Sequence, residues 1–150
     1  MEKIFIDSDI ILDLFAKRDP FYQDAADLFA LAEKGKVKAH VSPIIIANLY
    51  YVLRKLRNKE QALRTLHKLK LLVKILPVNE KIIEMALTSE FKDFEDAIEY
   101  YTAKEGGITS LITRNIKDYK RASISIMTAG EYLDQFSSRN NQDEAPTANT

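Results

Sequence analysis

The sequence contains no cysteine and only two histidines, His40 and His67, among its 150 residues. Without cysteine the chain can form no disulfide, no thiolate nucleophile and no cysteine-ligated zinc site. Two histidines also argue against a histidine-rich metal site and against a serine–histidine catalytic triad. Chemistry that depends on carboxylates and other oxygen-bearing side chains fits this composition better.

Long apolar runs are also absent from the sequence. No run approaches the roughly 20 residues that a helix needs to cross a bilayer. Residues 1–7 do not resemble a signal peptide, because carboxylates interrupt the apolar stretch. We therefore expect a cytoplasmic protein, and a length of 150 residues suits one compact domain with one core.

The net charge is zero, but the charges are unevenly distributed. Residues 54–74 carry eight basic side chains against one acidic, whereas residues 79–105 carry eight acidic side chains against three basic. A nuclease would use one such surface to attract phosphate and the other to hold metal. Two solvated helix faces of opposite charge are the alternative. Within the basic segment we assign RNA binding to Arg54, Lys55 and Arg57.

Short apolar runs alternate with segments of helical periodicity, which predicts an α/β fold. Strands are predicted at residues 4–6, 37–41, 73–78, 110–113 and 124–126, and helices at 10–15, 21–33, 43–56, 59–71, 80–88, 93–105 and 128–136. Strands separated by one or two helices favour a three-layer α/β/α domain with a mainly parallel sheet of four to five strands. This domain is expected to span residues 1–136. Residues 137–150 have no large apolar side chain and are predicted to form a disordered tail.

Polar side chains cluster where ligands bind in an open parallel sheet, beyond the carboxyl ends of the strands. These residues are Asp7, Ser8 and Asp9 after the first strand, Asn48 in the following helix, Asp93 and Asp96 at a helix start, and Thr113, Asn115 and Asp118 after the fourth strand. Oxygen ligands suit Mg²⁺ and Mn²⁺, which promote phosphodiester hydrolysis without a covalent nucleophile. Asp7 is the most informative residue, because a carboxylate beside an apolar strand is unfavourable unless it is paired or metal-bound.

Most of these side chains also have a purely structural interpretation. Caps or turns would account for Asp9, Asp13, Asp93, Asp96, Asn115 and Asp118, and we expect Asp9 and Asp13 in particular to be surface or cap residues. Asn48 lies next to the apolar face of its helix, so its amide must be hydrogen-bonded. It is therefore either a structural clamp or part of a site.

The polar clusters, taken in this order, resemble the motifs of the PIN domain family, and within it the small single-domain toxins of the VapC type. The matching segments are FIDSDIILD (5–13), VSPIIIANLYYVL (41–53), DFEDAI (93–98) with Ala103, and LITRNIKDY (111–119), within about residues 3–133. The resemblance implies that Asp7, Asp96 and Asp118 are catalytic acids that hold Mg²⁺ or Mn²⁺. It implies supporting roles for Ser8, Thr113 and Asn115.

One position departs from the family pattern: Asn48 stands where the family usually carries glutamate. An amide oxygen can still take part in the site, so Asn48 stays among the catalytic positions, but the site loses one negative charge. Asp93 is a candidate substitute acid.

The resemblance implies a metal-dependent endoribonuclease, acting as the toxin of a toxin–antitoxin pair, with an antitoxin partner and a homodimer. The alternative is a catalytically weakened PIN domain that binds RNA or protein. An aspartate-nucleophile phosphatase is disfavoured, because Ile11 replaces the threonine of its first motif. A receiver domain is disfavoured because residues 78–80 supply no phosphoacceptor aspartate.

Overall fold

A computed structural model of the chain describes residues 1–119 and 123–143. Its strands are β1 (Lys3–Ile6), β2 (Lys38–Val41), β3 (Val73–Ile75), β4 (Ser110–Ile112) and β5 (Ser125–Met127). Its helices are α1 (Ser8–Phe15), α2 (Tyr22–Glu33), α3 (Pro43–Leu56), α4 (Lys59–Leu72), α5 (Glu80–Leu87), α6 (Phe94–Glu105) and α7 (Ala129–Asp143), with a 3₁₀ turn at Ile116–Tyr119.

The five strands form one sheet in the order β3-β2-β1-β4-β5, and every neighbouring pair is parallel. Helices flank the sheet, so the α/β/α fold predicted from the sequence is confirmed. Strand β1 lies at the centre, and Ile4, Phe5 and Ile6 are completely buried there. In the part of the chain that the structure describes, no helix is both long enough and apolar enough to cross a membrane.

Local sequence signals set several helix boundaries as predicted. Ser42 caps α3, its Oγ accepting a hydrogen bond from the Ile45 amide at 3.1 Å, and Pro43 occupies the first turn, where no backbone donor is needed. Helices α2 and α6 end just before Gly35 and Gly107, whose φ angles of +72° favour glycine.

The C-terminal boundary differs from the sequence prediction. Helix α7 continues through Asp143, seven residues beyond the end predicted at Phe136. Polar contacts replace the missing apolar ones. Arg139 forms an ion pair with Glu2 Oε2 at 3.2 Å and donates to Gln135 Oε1 at 3.4 Å. The remainder of the predicted tail, residues 144–150, lies outside the described residues.

Candidate active site

Three adjacent strands end in polar residues at the same edge of the sheet. Asp7 follows β1, Ser42 follows β2 and Thr113 follows β4. Because β1 lies between β2 and β4 and all three are parallel, these residues become neighbours. Thr113 Oγ1 donates to Asp7 Oδ2 at 2.9 Å, across 106 residues of sequence. The sheet order therefore brings two of the predicted site residues together.

Asp7 is held in a half-buried position at the start of α1. Its Oδ1 accepts a hydrogen bond from the Ser8 amide at 2.8 Å, which makes Asp7 the N-cap of that helix. Burial raises the pKa of Asp7, the hydrogen bonds from Thr113 and Ser8 oppose that rise, and the charge of Asp9 adds to it. The anionic form of Asp7 is thus disfavoured, and a nearby cation would stabilise it.

A hydrogen-bond chain links the loop after β4 to α1. The backbone amide of Asn115 donates to Thr113 Oγ1 at 3.0 Å, and its side-chain Nδ2 donates to Asp9 Oδ2 at 2.8 Å. Asp9 was expected to be a surface or cap residue. It is half-buried and belongs to the network that surrounds Asp7.

Asp13 was also expected at the surface, and that expectation is wrong, because its exposed fraction is 0%. Its carboxylate forms ion pairs with Arg18 Nε and Arg114 Nε, each at 3.1 Å. Burial raises the pKa of Asp13, and the two guanidinium groups oppose that rise. The Arg114 guanidinium also lies 4.1 Å from the ring centre of Phe21. Since Arg114 follows Thr113 directly, the ion pair anchors the loop that approaches Asp7.

The acidic residues at the start of α6 face those of the sheet edge. Asp93 caps the helix as predicted, its Oδ1 accepting from the Asp96 amide at 2.9 Å. Burial raises the pKa of Asp96 to about 7, with additional contributions from the charges of Asp93, Asp7 and Asp118. Asp96 therefore lies within the electrostatic field of the other two predicted acids, Asp7 and Asp118. Asp93, Asp96 and Asp118 also line an open cavity of about 420 Å³, together with Lys92 and Lys117.

Glu95 also belongs to this acidic cluster, although the sequence analysis did not single it out. Asn48 Nδ2 on α3 donates a hydrogen bond to Glu95 Oε1 on α6. Burial raises the pKa of Glu95, and the charges of Asp93 and Asp7 contribute to the rise. The Asn48 amide is therefore hydrogen-bonded, as its position required, and its partner is a carboxylate.

Glu99 is a second acid that the sequence analysis missed. Its exposed fraction is 2%, and its Oε1 accepts a hydrogen bond from Ser42 Oγ at 2.8 Å. Its Oε2 is buried without a hydrogen-bond partner among the described residues. Burial raises the pKa of Glu99 to about 8. The available signal was its helical spacing, because Glu99 lies four residues before Ala103 and so shares the inner face of α6.

The donor chemistry of the cluster fits a hard divalent cation, because its charged oxygen donors are all carboxylates. Within residues 1–119 and 123–143, however, no three histidine, cysteine, aspartate or glutamate side chains are gathered closely enough to hold one ion together. Mg²⁺ usually keeps several waters and takes only one or two carboxylates directly. The arrangement is therefore compatible with a hydrated ion.

Comparison with known proteins identifies the family. A model of the PIN domain family matches residues 3–117. The chain belongs to the PIN domain family. It is 28% identical over 140 residues to "Ribonuclease VapC1" of Aquifex aeolicus (strain VF5), covering 90% of this chain and 96% of that protein.

Solved structures share the fold of this PIN domain. A toxin–antitoxin complex from Klebsiella pneumoniae matches with a TM-score of 0.64 and 26% identity, covering 84% of this chain and 97% of that one. VapBC2 from Rickettsia felis, bound to a DNA fragment from its promoter, matches with a TM-score of 0.61 and 21% identity, covering 83% and 96%. The match to the second structure supports the fold alone.

The three basic residues predicted to bind RNA do not lie on one face of the PIN domain. Lys55 follows Asn48 by seven residues, so it shares the face of α3 that reaches the acidic cluster. Tyr51, which is 61% exposed, lies between them on that face. Arg54 lies about 120° away around the helix. Arg57 points towards α1, where it donates to the Phe15 carbonyl at 3.3 Å.

The stability of the metal-free PIN domain is expected to fall as the pH rises from 6.5 to 8.5. The pKa values of Asp96 and Glu99 lie above their unfolded values, so over this window the folded state binds more protons than the unfolded state. His40 has a lowered pKa, and its opposite effect acts at lower pH. Because Asp96 is partly exposed, we expect the Tm at pH 6.5 to exceed that at pH 8.5 by only about 3 °C.

Calorimetry in the presence of chelator measures this difference. Glu99→Gln should reduce it, because the amide oxygen still accepts from Ser42 Oγ but no longer titrates. Equal melting temperatures for the unsubstituted protein at both pH values would contradict the assignment of raised pKa values to this cluster.

Proposed function

We propose that this chain is a metal-dependent endoribonuclease that hydrolyses RNA phosphodiester bonds and acts as the toxin of a toxin–antitoxin pair. The observation that carries the proposal is the position of Asp96, which lines a cavity with Asp118 and whose pKa is raised by the charges of both Asp7 and Asp118, from two distant segments. Carboxylates that converge in this way repel each other unless a cation compensates them. Similarity to a protein named as a ribonuclease supports the same reaction.

In this proposal Asp7, Asp96 and Asp118 hold a hydrated Mg²⁺ or Mn²⁺, partly through its water molecules, with Asn48 and Asp93 beside them. Such a cation would activate water and neutralise charge that develops on the leaving oxygen. Thr113 and Ser8 orient the Asp7 carboxylate through their hydrogen bonds. Asn115 fixes the loop of Thr113 and also holds Asp9.

The phosphate backbone of RNA would enter across positively charged side chains. Lys92 and Lys117 line the cavity next to Asp96 and Asp118, and there they would attract phosphate to an otherwise acidic surface. Lys55 extends the same path along α3, and Tyr51 offers an exposed ring on which a base can stack.

The proposal includes an antitoxin partner, a homodimer and a cytoplasmic location. The K. pneumoniae structure is of a toxin–antitoxin complex, and it covers most of this chain at 26% identity. Co-expression with the product of a neighbouring small gene, followed by purification through a tag on this chain, tests the antitoxin. Size-exclusion chromatography with light scattering tests the dimer.

Incubation of the purified protein with end-labelled RNAs tests the reaction. Cleavage is expected with Mn²⁺ or Mg²⁺ and should stop when a chelator is added. RNA that is bound but never cut would contradict the nuclease and support the alternative, a PIN domain that binds RNA without cleaving it.

Reversing the basic charges should weaken RNA binding at every sequence. With Arg54, Lys55 and Arg57 all replaced by glutamate, each lost phosphate contact should flatten the slope of log affinity against log salt by about 0.7. From the geometry of α3, Lys55→Glu alone should account for more of the loss than Arg57→Glu, which is the matched control. Fluorescence anisotropy with a short single-stranded RNA at several salt concentrations measures both effects. Unchanged affinity in the triple variant would show that RNA enters elsewhere.

A further inference from the structure

A polar contact between α3 and α6 lies beside the acidic cluster. Asn48 is half-buried on α3, and Glu95 belongs to the first turn of α6. The Asn48 amide group donates to Glu95 Oε1, so one carboxylate oxygen is held and Oε2 stays outside this contact. The two residues are 47 positions apart in sequence. The contact therefore depends on the packing of the two helices.

The face of α6 that carries Glu95 reaches the sheet edge one helical turn further along, at Glu99. Glu99 Oε1 accepts a hydrogen bond from Ser42 Oγ, and Ser42 follows β2, the neighbour of the strand that leads to Asp7. Glu95 and Glu99 are four residues apart, so they lie on the same face of α6. Glu99 adds a buried oxygen, Oε2, that has no partner among the described residues. The carboxylates of α6 are thus directed towards the sheet edge that ends in Asp7.

We propose that Glu95 supplies the cation site with a carboxylate and that Asn48 is the positioning residue that holds it there. The inference rests on the proposed metal-dependent function and deepens it. Helix α3 itself contributes only a neutral amide, Asn48, to the site. In this proposal the negative charge on that side comes from Glu95 on α6. In the family pattern a glutamate at this position of α3 supplies the charge. Here Glu95 on α6 would supply it, so the site would keep the same number of carboxylates.

The chemistry of the pair explains why an amide occupies position 48. An amide donates a hydrogen bond to a carboxylate and so fixes its orientation without adding negative charge. A carboxylate at both positions would place two like charges in direct contact, and one of them would have to be protonated or turned away. The contact therefore requires an amide at one of the two positions and a carboxylate at the other.

Manganese binding to the full chain, measured by isothermal titration calorimetry, tests the role of Glu95 without depending on activity. Glu95→Gln keeps an oxygen that can accept from Asn48 but removes the charge, and it should weaken Mn²⁺ binding about tenfold, or about 1.4 kcal/mol. Glu84→Gln, at an exposed glutamate of α5, is the matched control and should leave the affinity unchanged. The melting temperature in chelator verifies that both variants are folded.

A charge swap tests the role of Asn48. Asn48→Glu alone should weaken Mn²⁺ binding or leave it unchanged, because the new carboxylate repels Glu95. The double variant Asn48→Glu/Glu95→Gln restores one acid and one amide with their positions exchanged, and it should recover an affinity within about threefold of the unsubstituted protein. If Asn48→Glu alone tightens binding tenfold, or if the double variant does not recover, the positioning role is overturned.

Asp7→Asn separates this inference from the function on which it rests. If Asp7→Asn abolishes Mn²⁺ binding while Glu95→Gln leaves it unchanged, the metal function stands and the inference about Glu95 fails. If neither variant alters binding, the metal function itself fails. Loss in both variants, with recovery in the charge swap, is the result that we expect.

Discussion

Asp7→Asn should reduce Mn²⁺-dependent RNA cleavage by about 1000-fold, the equivalent of about 4 kcal/mol of transition-state stabilisation. Asparagine has nearly the same volume, and its Oδ1 can still accept from the Ser8 amide while its Nδ2 donates to Thr113 Oγ1, so the local structure is expected to persist. What is removed is the negative charge, and Asp7 is the acid that the central strand of the sheet contributes.

The same substitution should remove the stabilisation that metal gives. At a Mn²⁺ concentration 100 times the Kd, mass action stabilises the unsubstituted protein by about 2.7 kcal/mol. For a chain of this length that corresponds to a Tm increase of about 5–10 °C. Asp7→Asn should show almost no increase, while its Tm in chelator should equal or exceed that of the unsubstituted protein, because a disfavoured buried charge has been removed.

Calorimetry and a labelled-RNA assay on the same preparations test both effects. Asp134→Asn, at an exposed aspartate of α7, serves as the control and should behave like the unsubstituted protein. Cleavage by Asp7→Asn at the unsubstituted rate would exclude the metal-nuclease mechanism. So would a Tm that Mn²⁺ leaves unchanged in the unsubstituted protein up to millimolar concentrations.

The elements that could be predicted from the sequence are those fixed by neighbouring residues. Ser42 with Pro43 starts α3, and Gly107 ends α6, because capping and left-handed backbone conformations depend on local chemistry. The end of α7 could not be predicted in this way. Its last turns are polar, and the ion pair between Arg139 and Glu2 joins the two ends of the chain. No local pattern shows such a contact.

Some residues of the candidate site could likewise be predicted from the sequence, and others could not. Asp7 and Thr113 could be expected to meet, because both follow strands of one parallel sheet and the carboxyl ends of such strands share an edge. Glu95 and Glu99 depend on how α6 is rotated against α3 and the sheet, which is a property of packing. From the sequence alone, Glu95 in the first turn of α6 is interpreted as a solvated or capping residue, and the burial of Glu99 is not evident.

Replacing Asp13 should have the largest effect on stability. Its side chain is buried, although the sequence suggested a surface or cap residue. Asp13→Ala should lower the free energy of unfolding by about 3 kcal/mol, because it deletes the shared partner of Arg18 and Arg114 and leaves a partly buried guanidinium group uncompensated. Asp13→Asn should have a smaller effect, since its amide oxygen can still accept from one arginine.

Loss of the ion pair between Asp13 and Arg114 should also disturb the candidate active site, because Arg114 lies between Thr113 and Asn115 in the chain. When Asp13 no longer anchors Arg114, the hydrogen bonds from Thr113 to Asp7 and from Asn115 to Asp9 lose their support. We therefore expect Asp13→Ala to weaken Mn²⁺ binding as well as stability. Asp27→Ala, at an exposed position of α2, is the control and should change the free energy of unfolding by no more than about 0.5 kcal/mol.

Urea unfolding followed by circular dichroism measures the stability difference, and calorimetric titration at a temperature where both proteins are folded measures Mn²⁺ binding. A stability loss below about 1 kcal/mol would mean that the two arginines find other partners or solvent without penalty. Normal Mn²⁺ affinity in a clearly destabilised Asp13→Ala would show that the loop of Thr113 keeps its position without the anchor. In that case the ion pair stabilises the fold but does not position the site.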